Sequence, residues 1–224
     1  MEGNQSKYDS SNVEKLKDSF LEGKKVLFLG SSVTFGAASL EDGIPEYFRS
    51  RFGCEITKEA VSGTTLVDKD EESYVSRLKR NVDPATDYSL VICQLSTNDA
   101  TLDLPMGEIG ESRDADSFDV LTITGAIEYI IAYAKEKWNC PVMFYTGSRF
   151  GSDKYAAMVK RLYEISQKWG INVLDLWNDD AFNSISDEDR ALYMADPIHP
   201  TKAGYMKWWC PELERQLLEI RSSL

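Results

Sequence analysis

The sequence predicts an α/β fold, a three-layer αβα sandwich built around a parallel sheet. Short apolar runs alternate along the chain with longer segments in which apolar residues recur at helical spacing. The apolar runs also lack alternating polar residues, which is typical of strands that are buried on both faces of a sheet. Right-handed crossovers between such strands place helices on both sides of the sheet.

Strands are predicted where a short apolar run ends in turn residues. The first run, KKVLFLG, is followed by two serines, and the third, YSLVICQL, is a strong buried strand. The second run is weaker and is followed by a Ser-Gly turn. In chain order, the predicted strands are Lys24–Gly30, Glu55–Val61, Tyr88–Leu95, Pro141–Thr146 and Ile171–Leu176.

Helices are predicted in the intervening segments and after the last strand. The predicted helices are Gly43–Phe52, Glu72–Arg80, Leu121–Trp138, Asp153–Trp169 and Lys202–Ile220. Trp208 and Trp209 lie in the last of these and are interpreted as core residues, with a ligand platform as the alternative. Long loops are predicted at Ala100–Asp119, which is rich in glycine and acids, and at Asn178–Pro200.

The length and charge of the chain limit its organisation and its partners. The 224 residues fit one domain over 1–224, with residues 1–23 as a polar N-terminal extension, since domains have roughly 100–200 residues. The formal net charge is −12 at pH 7. A surface this acidic repels phosphate backbones and anionic lipids, so we expect neither nucleic acid nor membrane partners. The oligomeric state has no signature in the sequence.

The compartment is expected to be the reducing cytoplasm. The polar start of the chain has no apolar run of signal-peptide length, and no stretch of 18 or more apolar residues occurs. The four cysteines are scattered, mostly inside apolar segments, and form no CxxC pair. We interpret Cys54, Cys93, Cys140 and Cys210 as buried thiols.

The turn after the first predicted strand contains two serines, Ser31 and Ser32. A hydroxyl at a strand end lies at the cleft where open α/β sheets bind ligands, near backbone N–H groups that can hold an oxyanion. A serine in this position is also a favoured helix N-cap, and the segment alone leaves both interpretations open. A phosphate-binding loop is disfavoured, because neither GxGxxG nor GxxxxGK[ST] is present.

Two further strand ends contribute polar groups to the same edge. Asn98, after the third strand, is either an amide donor to an oxyanion or a turn residue bonding its own backbone. The turn at Gly63, after the second strand, offers a backbone N–H that no side chain obstructs.

The only histidine of the chain is His199, so a histidine-rich metal site is excluded and we expect no metal or other cofactor. Asp196 and His199 each precede a proline in DPIHP, which predicts a constrained turn before the last helix. A carboxylate three residues before an imidazole can reach Nδ1 and leave Nε2 to face a nucleophile. A purely structural histidine is the alternative.

In these residues the chain resembles the SGNH (GDSL-type) hydrolases, from Lys24 to Leu218. The four family blocks are similar, in order, to Gly30–Gly36, Ser62-Gly63, Ser96–Asp99 and Asp196–His199. The resemblance implies a flavodoxin-like parallel sheet of about five strands and a serine esterase acting on small-molecule esters. It also implies a nucleophile, Ser32, a base, His199, oriented by Asp196, and an oxyanion hole of Ser32 N–H, Gly63 N–H and the Asn98 amide.

Two positions depart from the family pattern. Ser31 stands where many members have aspartate, and Ser96 stands where glycine is usual. Neither change removes an atom that the chemistry needs, so we expect an active enzyme of a distinct subgroup.

Substrate recognition is expected after the fourth strand. Tyr145, Arg149 and Phe150 are predicted to line the rim of the cleft, with Phe150 either stacking on a sugar or aryl group or packing in the core. The absence of a long apolar lid favours short acyl chains, as in an aryl or carbohydrate deacetylase. An acyltransferase using the same residues and a non-catalytic binding module of the same fold remain alternatives.

Overall fold

The predicted strands form one sheet. Their apolar side chains are buried because helices cover both faces of this sheet. A computed structural model describes residues 1–223. Its strands are β1 Lys25–Gly30, β2 Glu55–Ala60, β3 Tyr88–Gln94, β4 Val142–Tyr145 and β5 Asn172–Leu174. They lie in the order β2-β1-β3-β4-β5 and all neighbouring pairs are parallel. The fold class is confirmed, and every strand begins and ends within two residues of its predicted bounds.

The winding of the sheet reverses at β1. The chain passes from β1 outward to β2 and then crosses back to β3 on the other side of β1. In open α/β sheets the ligand crevice lies at such a reversal, outside the carboxyl ends of the strands. The turns that follow β1 and β3 therefore meet at the crevice.

The helices cover both faces of the sheet. They are α1 Ser32–Phe35, α2 Ile44–Phe52, α3 Tyr74–Asn81, α4 Thr97–Thr101, α5 Ile123–Trp138, α6 Asp153–Trp169, α7 Asp180–Asn183, α8 Asp187–Tyr193, α9 Lys202–Gly204 and α10 Cys210–Ile220. One buried cluster joins the sheet to α3, α5 and α6, and a second joins its other face to α2 and α10.

Trp208 and Trp209 belong to the second cluster, as expected, and all four cysteines are buried and free. No helix within residues 1–223 is both long and apolar enough to cross a membrane.

The prediction of two long loops was partly wrong. Asn178–Pro200 contains α7 and α8, and Ala100–Asp119 includes the end of α4 and a 3₁₀ turn at Ala115–Ser117. Each short helix is stabilised at its start by a side-chain cap: Asp179 accepts from the Phe182 N–H, and Ser186 from the Asp189 N–H. These helices are too short for periodicity to predict, and only their caps could have indicated them.

The last predicted helix is continuous but irregular. Between α9 and α10, Tyr205–Trp209 form a π turn in which the Cys210 N–H donates to the Tyr205 carbonyl. Pro211 has no N–H to donate, so the regular hydrogen-bond series is interrupted here in any case. The π turn directly follows α9, which begins three residues after His199.

The N-terminal residues pack beside the loops that border the crevice. They form 3₁₀ turns at Glu2–Asn4, Ser6–Tyr8 and Ser10–Asn12. The Asn4 amide donates to the Ala38 carbonyl at 2.8 Å, and its oxygen accepts from the Lys202 N–H at 2.9 Å. One side chain thus joins the segment after α1 to the start of α9.

Candidate functional site

The turn between β1 and α1 is held from the neighbouring strand β3. Gln94, the last residue of β3, accepts from the Ser31 N–H at 3.0 Å and from the Thr34 N–H at 3.1 Å. The turn is tight as well: a Cβ added at Gly30 would lie 1.8 Å from Thr34 Oγ1. The local backbone that presents Ser32 is therefore fixed by side-chain bonds and by close packing.

The Ser32 hydroxyl faces the only histidine. Ser32 Oγ lies 2.8 Å from His199 Nε2, and the serine is 7% exposed. Neither serine acts as a helix cap, because the residue at the cap position, Ser31, makes no capping hydrogen bond and Ser32 is already the first residue of α1. The capping alternative considered from the sequence does not apply to Ser32.

The Asp196–His199 turn orients the imidazole. Asp196 Oδ2 lies 2.7 Å from His199 Nδ1, while Oδ1 accepts from the backbone N–H groups of Ile198 and His199 at 2.8 and 2.9 Å. Burial raises the pKa of Asp196, but the hydrogen bonds from Ile198 and His199 outweigh it, so the net pKa is lowered. A carboxylate that accepts a hydrogen bond from Nδ1–H favours the tautomer with its hydrogen on Nδ1. Nε2 is then free to accept the Ser32 proton.

Three N–H donors lie at the adjacent strand ends. The Ser32 N–H is the first of α1 and so has no partner within that helix. Gly63 has φ +82°, a left-handed conformation, and its N–H has no acceptor among residues 1–223. Asn98 donates one amide hydrogen to the Thr64 carbonyl at 2.8 Å, which leaves its second for a ligand.

Two buried polar side chains behind these groups were not singled out from the sequence. They are Gln94, 2% exposed, and Arg77, 0% exposed. Gln94 ends an otherwise apolar strand, and a polar residue there must find buried partners. This polar residue at the end of an apolar strand was the signal in the sequence that could have identified Gln94. Arg77 gave none, because in a helical segment that also contains Lys79 and Arg80 its sequence context is that of any solvated arginine.

Tyr145 does not lie on the rim, which corrects the expectation from the sequence. It is the last residue of β4, is 1% exposed and shares a 2.7 Å hydrogen bond with Thr34 Oγ1. The strand pleat directs this side chain inward, beneath the cleft. Its burial raises its pKa well above the usual value, so the phenol stays neutral.

The other two predicted rim residues, Phe150 and Arg149, line two different cavities. Phe150 lies against Tyr155 and Trp177 and, with Tyr145 and Ile198, lines a cavity of about 10 Å³. This is room for about one water-sized group. Its lining includes the residues directly after Ser32 and directly before His199.

Arg149 lines an open groove of about 390 Å³ beside Asp196. It is anchored by an ion pair with Asp180 at 2.6 Å and by donation to the Trp177 carbonyl at 2.7 Å. Within the described part of the chain, no group of three or more His, Cys, Asp or Glu side chains could hold a metal ion.

A parallel αβα sandwich with a serine, a histidine and an aspartate hydrogen-bonded in series at its carboxyl edge has the architecture of a hydrolase. The model of the GDSL-like lipase/acylhydrolase family matches residues 28–207, and the chain belongs to this family. No curated protein matches the chain by sequence.

Solved structures share the fold. A protein from Lactobacillus plantarum has a TM-score of 0.73 at 19% identity, covering 88% of this chain and 98% of its own. A GDSL-like lipase from Bacteroides ovatus has a TM-score of 0.62 at 14% identity, covering 91% and 100%. The acetyl xylan esterase AlAXEase has a TM-score of 0.64 at 17% identity, covering 86% and 99%. At these identities the likeness concerns the fold alone.

Proposed function

We propose that the protein is a serine esterase that hydrolyses short-chain carboxylic esters. The observation that carries this proposal is the 2.8 Å contact between Ser32 Oγ and His199 Nε2, at the crevice of a GDSL-family fold. A serine hydroxyl becomes an effective nucleophile only when a base takes its proton. His199 is the only imidazole in the chain, and it is in hydrogen-bonding contact with this hydroxyl.

The reaction proceeds in two halves. Ser32 Oγ attacks the ester carbonyl as its proton passes to His199 Nε2, and the imidazolium then protonates the leaving alcohol. Water attacks the acyl-serine, gives its proton to His199 and releases the carboxylic acid with Ser32 restored. Asp196 holds the imidazole and stabilises its charged form in both halves.

The oxyanion of each tetrahedral intermediate is bound by the Ser32 N–H, the Gly63 N–H and the free amide hydrogen of Asn98. Such donors act on charge that develops in the transition state, and loss of one costs about 10²–10³ in kcat. The unpartnered Gly63 N–H supports this assignment.

Short acyl groups are favoured by a small cavity whose lining includes the sequence neighbours of Ser32 and His199, although neither of these two residues lines it. The cavity bounded by Val33, Ile198 and Phe150 holds about 10 Å³, which suits a methyl group better than a long chain. The fold shared with an acetyl xylan esterase is consistent with a carbohydrate or aryl acetate as substrate.

Hydrolysis of p-nitrophenyl esters from acetate to octanoate tests the proposal. We expect the rate to fall steeply beyond acetate and Ser32→Ala to abolish turnover. An alkyl fluorophosphonate should label the wild type and Ser31→Ala, the neighbouring-serine control, but not Ser32→Ala. A non-catalytic module would give equal background rates for wild type and Ser32→Ala. Product analysis with an added alcohol acceptor identifies an acyltransferase, which would form the transfer ester in place of free acid.

A further inference from the structure

The guanidinium of Arg77 is wholly buried behind the candidate site. It extends from α3 and is 0% exposed. Nη2 donates to the Gly30 carbonyl at 2.8 Å and to Thr64 Oγ1 at 3.2 Å. Nη1 donates to Glu59 Oε1 at 2.9 Å, and Nε donates to the Glu72 carbonyl at 2.8 Å. Complete burial of a charged side chain destabilises the folded state unless each of its N–H donors has a well-placed acceptor.

Two of the four acceptors of Arg77, the Gly30 carbonyl and Thr64 Oγ1, lie beside donors of the proposed oxyanion hole. Gly30 is two residues before Ser32, and Thr64 directly follows Gly63. The Thr64 carbonyl accepts from the Asn98 amide at 2.8 Å.

Thr64 is held on both sides. Its hydroxyl accepts from Arg77 and donates to the Val61 carbonyl at 2.7 Å, which closes the turn that contains Gly63. A planar guanidinium with donors in fixed directions suits this bridging, whereas an ammonium on a flexible stem does not.

We propose that Arg77 is a positioning residue that sets the spacing of the oxyanion-hole donors, an inference that rests on the proposed esterase function. It does not touch the reacting atoms. It acts through Gly30, which leads into the Ser32 turn, and through Thr64, which fixes the Gly63 turn and one hydrogen of Asn98. Displacement of reacting groups by about 1 Å costs roughly 10²-fold in rate, so a small relaxation here is enough to slow turnover.

The test compares Arg77→Met and Arg77→Lys with the wild type on p-nitrophenyl acetate. The concentration of active sites is counted in each preparation with a fluorophosphonate, so that unfolded protein does not contribute. Per labelled site, we expect kcat to fall by about 10- to 100-fold with KM within about threefold, because the hole stabilises the transition state rather than the bound ester. The Ki of a trifluoromethyl ketone, whose adduct is an oxyanion, should rise with the fall in kcat.

Arg51→Met is the matched control. Arg51 is likewise ion-paired, with Glu214 at 2.8 Å, and donates to the Glu14 carbonyl, although it is only partly buried. It lies at the end of α2, just before β2 begins, so it is at the amino edge of the sheet, opposite the site. We expect this variant to be less stable while kcat per labelled site stays unchanged.

A double-mutant comparison of Arg77 and Thr64 gives a second measurement, and a general loss of stability would not produce the coupling that it detects. Thr64→Val keeps the shape of the side chain and removes the hydroxyl that joins Arg77 to the turn. If Arg77 acts through this hydroxyl, Arg77→Lys and Thr64→Val lower kcat by less together than the product of their separate effects. Strictly multiplicative effects would overturn the inference.

The outcomes separate the two proposals. A wild type that neither turns over esters nor takes the label refutes the esterase function itself. An active wild type whose Arg77→Lys variant keeps full kcat and full inhibitor affinity per labelled site refutes the positioning role alone. Arg77→Lys retains the charge opposite Glu59, so it carries the test if Arg77→Met fails to fold.

Discussion

Gln94 holds Ser31 with both atoms of its side-chain amide. Its Oε1 accepts from the Ser31 N–H at 3.0 Å, and its Nε2 donates to Ser31 Oγ at 3.0 Å. The two residues are 63 positions apart, at the carboxyl ends of adjacent strands. Through these two bonds Gln94 reaches the residue directly before Ser32.

Removing this amide should destabilise the protein and slow the enzyme. Gln94→Leu leaves the buried N–H groups of Ser31 and Thr34 without an acceptor, and each buried unsatisfied group costs about 1–3 kcal/mol. We expect the free energy of unfolding in urea to fall by about 2–4 kcal/mol and kcat to fall with it, because the Ser32 turn is no longer fixed.

Gln216→Leu is the control for this change. Gln216 makes a similar pair of bonds with the backbone of Asp175, accepting from its N–H at 2.7 Å and donating to its carbonyl at 3.0 Å. It lies on α10, away from Ser32. This variant should lose stability and keep its kcat. Equal kinetic losses in both variants would contradict a specific role for Gln94.

The sheet and the ends of its strands were predictable because their signals are local. Apolar runs and turn residues set the strands, and the topology rules for parallel strands bring their carboxyl ends together. The Asp196–His199 pair was equally local, since its members are three positions apart. The approach of His199 to Ser32 is not local, and its prediction depended on the fold and the family resemblance.

What the sequence did not reveal depends on contacts between distant segments. Arg77 and Gln94 bind backbone groups, hydroxyls and, in the case of Arg77, the Glu59 carboxylate, and no pattern in the sequence links them to these partners. Tyr145 was expected on the rim because it was grouped with the residues after the fourth strand, but it is the last residue of β4 and its side chain is buried. Successive residues of a strand point to opposite faces of the sheet, so a shift of one residue reverses the direction of a side chain. The residues of the following turn do not determine this direction.

Asp196→Asn should reduce activity far more than it reduces stability. An asparagine amide can donate to His199 Nδ1, which selects the tautomer with a hydrogen on Nε2 and leaves no acceptor for the Ser32 proton. In a serine protease the corresponding change costs about 10⁴ in kcat, and we expect a loss of about 10²–10⁴ here, since the pair is partly exposed to solvent. The loss is measured as kcat/KM on p-nitrophenyl acetate.

Asp187→Asn is the matched control for Asp196→Asn. Both carboxylates line the groove beside Arg149, so the change in groove charge is the same. Asp187 is exposed and makes no contact with His199. A comparable fall in kcat/KM in the two variants would mean that groove charge, rather than the orientation of the imidazole, controls the rate.

Stability should depend on pH through Asp99, which follows Asn98. Burial raises the pKa of this carboxyl, although Ser96 and the N–H groups of Val67 and Leu66 donate to it. A folded pKa above the unfolded value of about 3.9 means that the folded state holds the proton more tightly. The contribution of Asp99 to stability is therefore greatest below that value and is lost as the pH rises through the folded pKa.

Urea unfolding of wild type and Asp99→Asn from pH 4 to pH 8 isolates this effect. Asparagine does not titrate, so other groups cancel in the difference between the two proteins. The wild type should lose stability relative to Asp99→Asn as the pH rises, and the difference should become constant above the folded pKa. A difference that grows in favour of the wild type with rising pH would reverse the sign and exclude burial as the dominant influence on this carboxyl.

A single methyl group at Gly30 should disturb the site more than one elsewhere in the crevice loops. The added Cβ would lie 1.8 Å from Thr34 Oγ1 and 2.9 Å from Gln94 Oε1, and both atoms are engaged in the hydrogen bonds that fix the Ser32 turn. Overpacking of this kind costs about 1–3 kcal/mol or more, so Gly30→Ala should be less stable and should show a lower kcat.

Gly151→Ala, after β4, is the comparison, because its Cβ would have no atom within 4 Å. That variant should unfold within about 0.5 kcal/mol of the wild type. If Gly30→Ala matched it in both stability and kcat, the turn before Ser32 would be free to relax, and its close packing could not be what aims the hydroxyl at His199.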